Sequence, residues 1–177
     1  MTLQSRRHQH ADREQVLRLH KIALRAVGAY APGQWDDDLD DIDRTYLATG
    51  GEVLVGVLDA DAVGIGALRR IDQDTAELKR MRVSPSRQRQ GLGRQMLHAL
   101  EARARARDRG YTTVVLDTSD RQTAAIGLYQ AHGYLETGRG ELAGLPALFF
   151  RKTSASATIE SAFAEAVDNR PGTAISG

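Results

Sequence analysis

The sequence predicts one domain of mixed α/β class, and three observations carry that reading. Stretches with apolar residues at every second position alternate along the chain with stretches where they recur every third or fourth, so strands and helices are interleaved. The 177 residues, 41% hydrophobic and 27% charged, suffice for one core of ordinary globular composition. One charged strand, Ala76 to Val83, stops at Ser84-Pro85 and leads into a glycine-bearing helix start, around which the other elements are organised.

Composition also excludes several classes. The chain has no cysteine, which removes disulfides, thiolate metal sites and a cysteine nucleophile. The five histidines show no helical ligand spacing, so no metal site is expected. No apolar run reaches membrane-spanning length and the N-terminus lacks a signal-peptide core, so a cytoplasmic protein without a membrane partner is expected. The net charge is only +1, but Lys79 to Arg109 is basic and Trp35 to Asp43 acidic.

In chain order, Thr2 to Gln9 holds a short strand. Asp12 is positioned to cap a helix reaching about Val27, with Val16, Leu19, Ala23 and Ala26 on one stripe. Gly28 to Gln34 is a loop, and Trp35 to Leu47 reads as a second helix with Trp35, Leu39, Ile42 and Tyr46 on one side. Its six aspartates have two readings, a solvated face or a region that steers a cationic substrate. Glu52 to Leu58 and Ala62 to Leu68 form a meander around Asp59-Ala60-Asp61, and Ile71 to Thr75 turns into the charged strand.

That strand contains a slip. Ala76 and Leu78 are even positions while Met81 and Val83 are odd, so one extra residue near Lys79-Arg80 is needed to keep all four on one face. The slip marks a β-bulge, which leaves backbone groups free for a ligand. Then Gln88-Arg89-Gln90-Gly91-Leu92-Gly93-Arg94 opens a helix with Leu92, Met96, Leu100 and Ala104 on one stripe, running to about Arg109. Unpaired N–H groups, glycines without a Cβ and Arg87, Arg89 and Arg94 together make an anion cradle. A dinucleotide loop would need glycine at Met96, and Gly-Lys-Ser/Thr of a P-loop is absent. The plain alternative is a tight strand-to-helix connection with solvated arginines.

Gly110 ends the helix, Thr112 to Asp117 is a β-branched strand, and a helix from about Gln122 to His132 is stopped by Gly133. Tyr134 to Thr137 and Leu148 to Arg151 close the domain across a Gly/Pro-bearing loop. Residues 1–152 are read as the domain and 153–177 as a mobile Ser/Ala-rich tail, with a helical turn or more at Ile159 to Val167. Arginines 103, 105, 107 and 109 raise nucleic-acid binding, but without interleaved aromatics they read as solvated charge, and no nucleic-acid partner is expected.

A bulged strand followed by Gln88-x-x-Gly91-x-Gly93 resembles the acetyl-CoA motif of the GNAT superfamily of N-acetyltransferases, and Ala125 to Tyr129 with Gly133-Tyr134 resembles its later motif. The resemblance spans residues 76 to 135. It implies a mostly antiparallel sheet with a bulged, splayed central strand and helices on both faces. It implies acetyl-CoA as co-substrate, with its pantetheine on main-chain groups of Met81, Arg82 and Val83 and its pyrophosphate on Gln88, Arg89, Gln90, Gly91, Leu92, Gly93 and Arg94. Gln122 stands where many relatives have asparagine, which weakens the expected side-chain contact there.

The implied reaction needs a base for a protonated amine and an acid for the leaving sulfur. Glu77 lies 88 − 77 = 11 residues before Gln88, the spacing of the glutamate base in histone-acetylating members, and Tyr129 matches the family tyrosine that protonates the sulfur or orders the thioester. Their structural alternatives are an ion pair of Glu77 with Lys79 or an arginine, and a packed tyrosine. The acceptor is a small-molecule or peptide amine, a homodimer is compatible with the reading, and a non-catalytic acyl-CoA-binding module is the alternative from another class.

Overall fold

The computed structural model describes residues 2–31, 33–106 and 110–154, apart from the side chains of Gln34 and Trp35. One seven-stranded sheet organises them: β1 (Gln4–Arg7), β2 (Glu52–Leu58), β3 (Asp61–Arg70), β4 (Thr75–Val83), β5 (Thr113–Ser119), β6 (Leu135–Leu142) and β7 (Leu145–Thr153), in the order β1-β2-β3-β4-β5-β7-β6. Neighbours are antiparallel except β4 and β5, whose parallel pairing requires the crossover helix α2 (Leu92–Arg105). The α/β class and mostly antiparallel sheet are therefore present as expected.

Helices cover both faces. α1 (Arg13–Ala26) buries Val16 and Leu19 with Leu39, Ile42 and Tyr46 against Val53, Val55, Ile65 and Ala67. On the other face α2 packs Met96, Leu97 and Leu100 on Leu54, Leu68, Leu78 and Met81, while α3 (Thr123–Ala131) contributes Tyr129 beside Tyr134 and Phe150. α2 lies close because β3 has glycine beneath it: a Cβ on Gly66 would collide with Leu100 Cδ1. Among the described residues no helix is long and apolar enough to cross a membrane.

The bulge is where the parity slip placed it. Ile65 pairs with Arg82 but Ala67 with Lys79, so two residues of β4 oppose one of β3, and Arg80 adopts φ +56°.

Three expectations need correction. Asp12 does not cap α1 through its side chain; its carboxylate accepts from the Gln9 N–H at 2.8 Å and from Arg6 at 2.7 Å. The single helix over 35–47 is instead a 3₁₀ segment, Gln34–Leu39, and a π-helical turn, Asp43–Leu47. Its helical apolar spacing survives in the burial of Leu39, Ile42 and Tyr46, but Asp36 and Asp38 turn inward to partners on other elements. The closing strands extend through the glycines and proline, leaving only Ala143 (φ +53°) and Gly144 (φ +73°) as a two-residue turn. Pro146 fits because the β5–β7 ladder ends one position later at Ser119↔Ala147.

The tail beyond residue 154 with its helical stretch, and Arg107 and Arg109, lie outside the described residues. Arg103 is paired with Glu52 at 2.6 Å and Arg105 with Glu101 at 3.6 Å.

Candidate active site

The site begins where a ladder stops. β4 and β5 pair only over Thr75↔Thr113, Ala76↔Val114 and Glu77↔Val115, although both strands continue, to Val83 and Ser119. Beyond Glu77 the two diverge, and each presents an unpaired backbone edge to the gap. Ser84 N–H donates to Val63 on β3 at 2.8 Å, so by alternation the main-chain groups of Val83 and Met81 face the gap. The Met81 carbonyl there accepts from Arg82 Nη1 at 2.7 Å, and burial lowers the Arg82 pKa to about 10.

A cleft of about 240 Å³ occupies this gap. Gln122 and Tyr129 line it from α3, Leu24 and Asp36 from the α1 side, and Arg82 and Asp117 from the strands, so it joins both faces of the sheet. Arg80, at the bulge, donates through Nε to Asp38 at 2.9 Å and through Nη1 to Asp36 at 3.2 Å; Tyr46 also donates to Asp38. Fully buried His20 meets Asp36 at 2.8 Å, and burial, reinforced by Arg82, pushes its pKa down to about 4. Asp36 and Asp38 thus clamp the bulge, while Asp37, Asp40, Asp41 and Asp43 remain on the surface.

The glycine loop lies next to the splayed end of β4. Arg89 (φ +59°) and Gly91 (φ +77°) both take the left-handed conformation, and Gly91 serves as N-cap of α2 without a side-chain capping bond. The first bond of the helix runs from Gln95 N–H to Gly91 C=O, so the earlier N–H groups point out of its end. With the adjacent arginines this end has the donor set and charge that a pyrophosphate requires.

Tyr129 is fixed by stacking edge-on to Tyr134 at 5.6 Å, with Phe150 at 6.3 Å. The turn after α3 explains the motif spacing: Gly133 (φ +82°) ends the helix and Tyr134 N–H returns to Tyr129 C=O at 3.1 Å. Burial pushes the Tyr129 hydroxyl up to about 12, Arg82 opposing and Asp117 reinforcing the shift, so it holds its proton at neutral pH.

Glu77 sits at the vertex of the splay and lines a groove of about 510 Å³ with Val115, Asp117, Phe149 and Arg151. It accepts from Arg69 Nε at 2.9 Å and lies 3.5 Å from Lys79. Asp117, which the sequence reading passed over as a strand end, faces it. Burial raises the Asp117 pKa; Lys79 opposes that rise, and the charge of Glu77 adds to it. A carboxylate within an otherwise β-branched strand was the available signal. The fold also brings His98 and His132 into edge-on contact at 5.1 Å, which their sequence separation hid. Among the described residues no group of three or more metal-ligating side chains is assembled.

Comparison with known proteins agrees with this fold. The pattern of the acetyltransferase (GNAT) family matches residues 16–134. N-acetyltransferase family 8 member 2 of Rattus norvegicus is 36% identical over 104 residues, 57% of this chain and 46% of that protein. The chain spans about half the length of the curated relatives it matches. An acetyltransferase of GNAT family from Staphylococcus aureus superposes with a TM-score of 0.77 at 18% identity, over 86% of this chain and 99% of its own. PaiA N-acetyltransferase from Thermoplasma acidophilum, solved in complex with coenzyme A, superposes with a TM-score of 0.67 at 17% identity, over 86% of this chain and 99% of its own. The family pattern covers the bulged strand, the glycine loop and the Tyr129 motif together, and the chain therefore belongs to the acetyltransferase (GNAT) family.

Proposed function

We propose that this protein is an N-acetyltransferase that moves an acetyl group from acetyl-CoA to a primary amine by direct attack on the thioester. The observation that carries the reading is the gap between β4 and β5, with an uncapped helix end at one side and Tyr129 within it. Acetyl-CoA, when bound, supplies an acyl carbon activated as a thioester.

The chain's own residues fit that ligand. Met81 and Val83 offer main-chain groups to the pantetheine amides as a partner strand would, with Arg82 between them. Gln88 to Arg94 offer N–H groups and guanidinium charge to the pyrophosphate. Gln122, at the start of α3, lines the cleft beside Tyr129. Tyr129, which keeps its hydroxyl protonated at neutral pH, supplies the proton to the departing sulfur. Glu77, lining the groove, belongs to the acid/base group that takes the proton the acceptor ammonium must lose.

The acceptor is a small-molecule or peptide amine. Steering by Asp36 and Asp38 is not supported, because Arg80 neutralises both. Calorimetric titration with acetyl-CoA, beside a Gly91→Val variant, tests the cofactor site: saturable binding that the variant loses is expected. Screening amines for thiol release then tests the reaction. Saturable binding without thiol release across a wide amine panel would replace this reading with a non-catalytic acyl-CoA-binding module.

A further inference from the structure

Asp117 lines both the cleft that crosses the sheet and the open-face groove, whereas Glu77 lines only the groove. Had the β4–β5 ladder continued one more pleat, Asp117 would stand opposite Lys79; pairing ends at Glu77↔Val115, so Asp117 is the first side chain of β5 on that face past the vertex. It therefore sits where a group entering from the groove meets one bound in the cleft.

Glu77 has its carboxylate engaged by Arg69, at 2.5 Å from Nη2 as well as through Nε, and by Lys79. Among the described residues Asp117 has no such cation clamp, and it lines the groove beside Glu77, one pleat beyond Val115, the strand partner of Glu77. A negative charge beside a carboxylate makes that carboxylate the better proton acceptor, so Glu77, held ionised by its cations, favours proton uptake at the unclamped Asp117.

Resting on the acetyltransferase reading above, we infer that Asp117 is a further catalytic residue, the member of an Asp117–Glu77 acid/base pair that touches the acceptor nitrogen. The acceptor enters by the groove as an ammonium ion. One N–H bond breaks and its proton passes to a carboxylate oxygen of Asp117, leaving the nitrogen lone pair free to form the N–C bond; as the C–S bond breaks, the acylated nitrogen loses its second proton to water. The pair then carries one additional proton, which Asp117 returns to water as product leaves. Tyr129 supplies the proton that the departing sulfur needs and is recharged from solvent. Glu77 holds the Asp117 carboxyl in position and raises its basicity. The charged and titratable groups around Asp117 are Glu77, Lys79 and Arg82 on β4, Arg69 on β3, Arg151 on β7 and Tyr129 on α3.

The test compares Asp117→Asn, Glu77→Gln and the double variant with the wild type. Asp117→Asn is expected to lower kcat/KM by ~10² to 10⁴ while calorimetric acetyl-CoA affinity, which also reports correct folding, stays within about threefold. The losses are expected not to add, the double variant being no slower than the slower single one. In the free protein, carbon NMR of the Asp117 carboxyl should show its titration midpoint falling in Glu77→Gln, and the acidic limb of the rate profile should move to lower pH with it. Asp117→Asn turning over within about threefold of wild type overturns the inference and leaves Glu77 to act alone. Additive losses with an unmoved midpoint overturn it in favour of a packing role. A wild type that binds acetyl-CoA but acetylates no amine overturns the transferase reading itself, and this inference with it.

Discussion

Glu52 and Asp117 are both acidic residues drawn into the sheet, and their surroundings give them opposite uses. Glu52 on β2 is wholly inaccessible, and its carboxylate meets Arg7 of β1 at 2.7 Å and Arg103 of α2 at 2.6 Å. Two guanidinium groups satisfy its oxygens and tie an edge strand and a helix to the sheet. Asp117 on β5 faces another carboxyl group and opens to two clefts. Burial of an acid is therefore a poor sign of chemistry by itself. A cation clamp makes it structural, while a like-charged neighbour and an opening keep it exchangeable.

The comparison can be sharpened first at the reacting side. Tyr129→Phe is expected to slow single-turnover thiol release by ~10² to 10⁴, about 3 to 5 kcal/mol, with acetyl-CoA affinity within threefold; loss of affinity instead would make the tyrosine a binding group. Glu52→Ala should do the reverse, lowering unfolding free energy in urea by about 2 to 3 kcal/mol while turnover per folded molecule is unchanged. The figure is discounted because Arg7 and Arg103 are 52% and 39% exposed and water takes up their charge. A slow but fully stable Glu52 variant would break the contrast.

Smaller effects belong to the glycine loop. Gly91→Val forces a β-branched residue to φ +77°, a strain of about 1 to 2 kcal/mol, and calorimetry should show acetyl-CoA affinity reduced about tenfold or more. Gly93→Ala should change affinity and stability by no more than about 0.5 kcal/mol, because its Cβ would rest 3.4 Å from Leu128 and 3.9 Å from Val83. Equal penalties at both glycines would show that backbone conformation is not what separates them.

Much of this site was legible because its signals are local. The parity slip between Leu78 and Met81 places the bulge within a residue, and Gly91-Leu92-Gly93 before a four-residue stripe marks the start of α2. The misread segments show where local signals mislead. Leu39, Ile42 and Tyr46 have helical spacing, yet Arg80, far along the chain, draws Asp36 and Asp38 inward and the segment breaks into two short turns. Gly138, Gly140 and Pro146 carry loop signals, yet they lie within strands: a Cβ on Gly140 would stand 3.0 Å from the Phe149 ring, and Pro146, paired with Glu141 of β6, falls beyond the last β5–β7 pair.

Hydrophobic periods, turn residues and the order of motifs are properties of neighbouring residues, so the chain alone determined the α/β class, the bulged strand, the glycine-bearing helix start and the candidate tyrosine. Which charges meet was decided only in three dimensions. Glu77 and Asp117 are 117 − 77 = 40 residues apart, and they line one groove because two parallel strands pair for three residues and then part. Arg80 is occupied by the acidic segment, and Arg103 by Glu52, for the same reason. Electrostatic partners depend on separation in space and on exclusion of water, and long-range packing sets both.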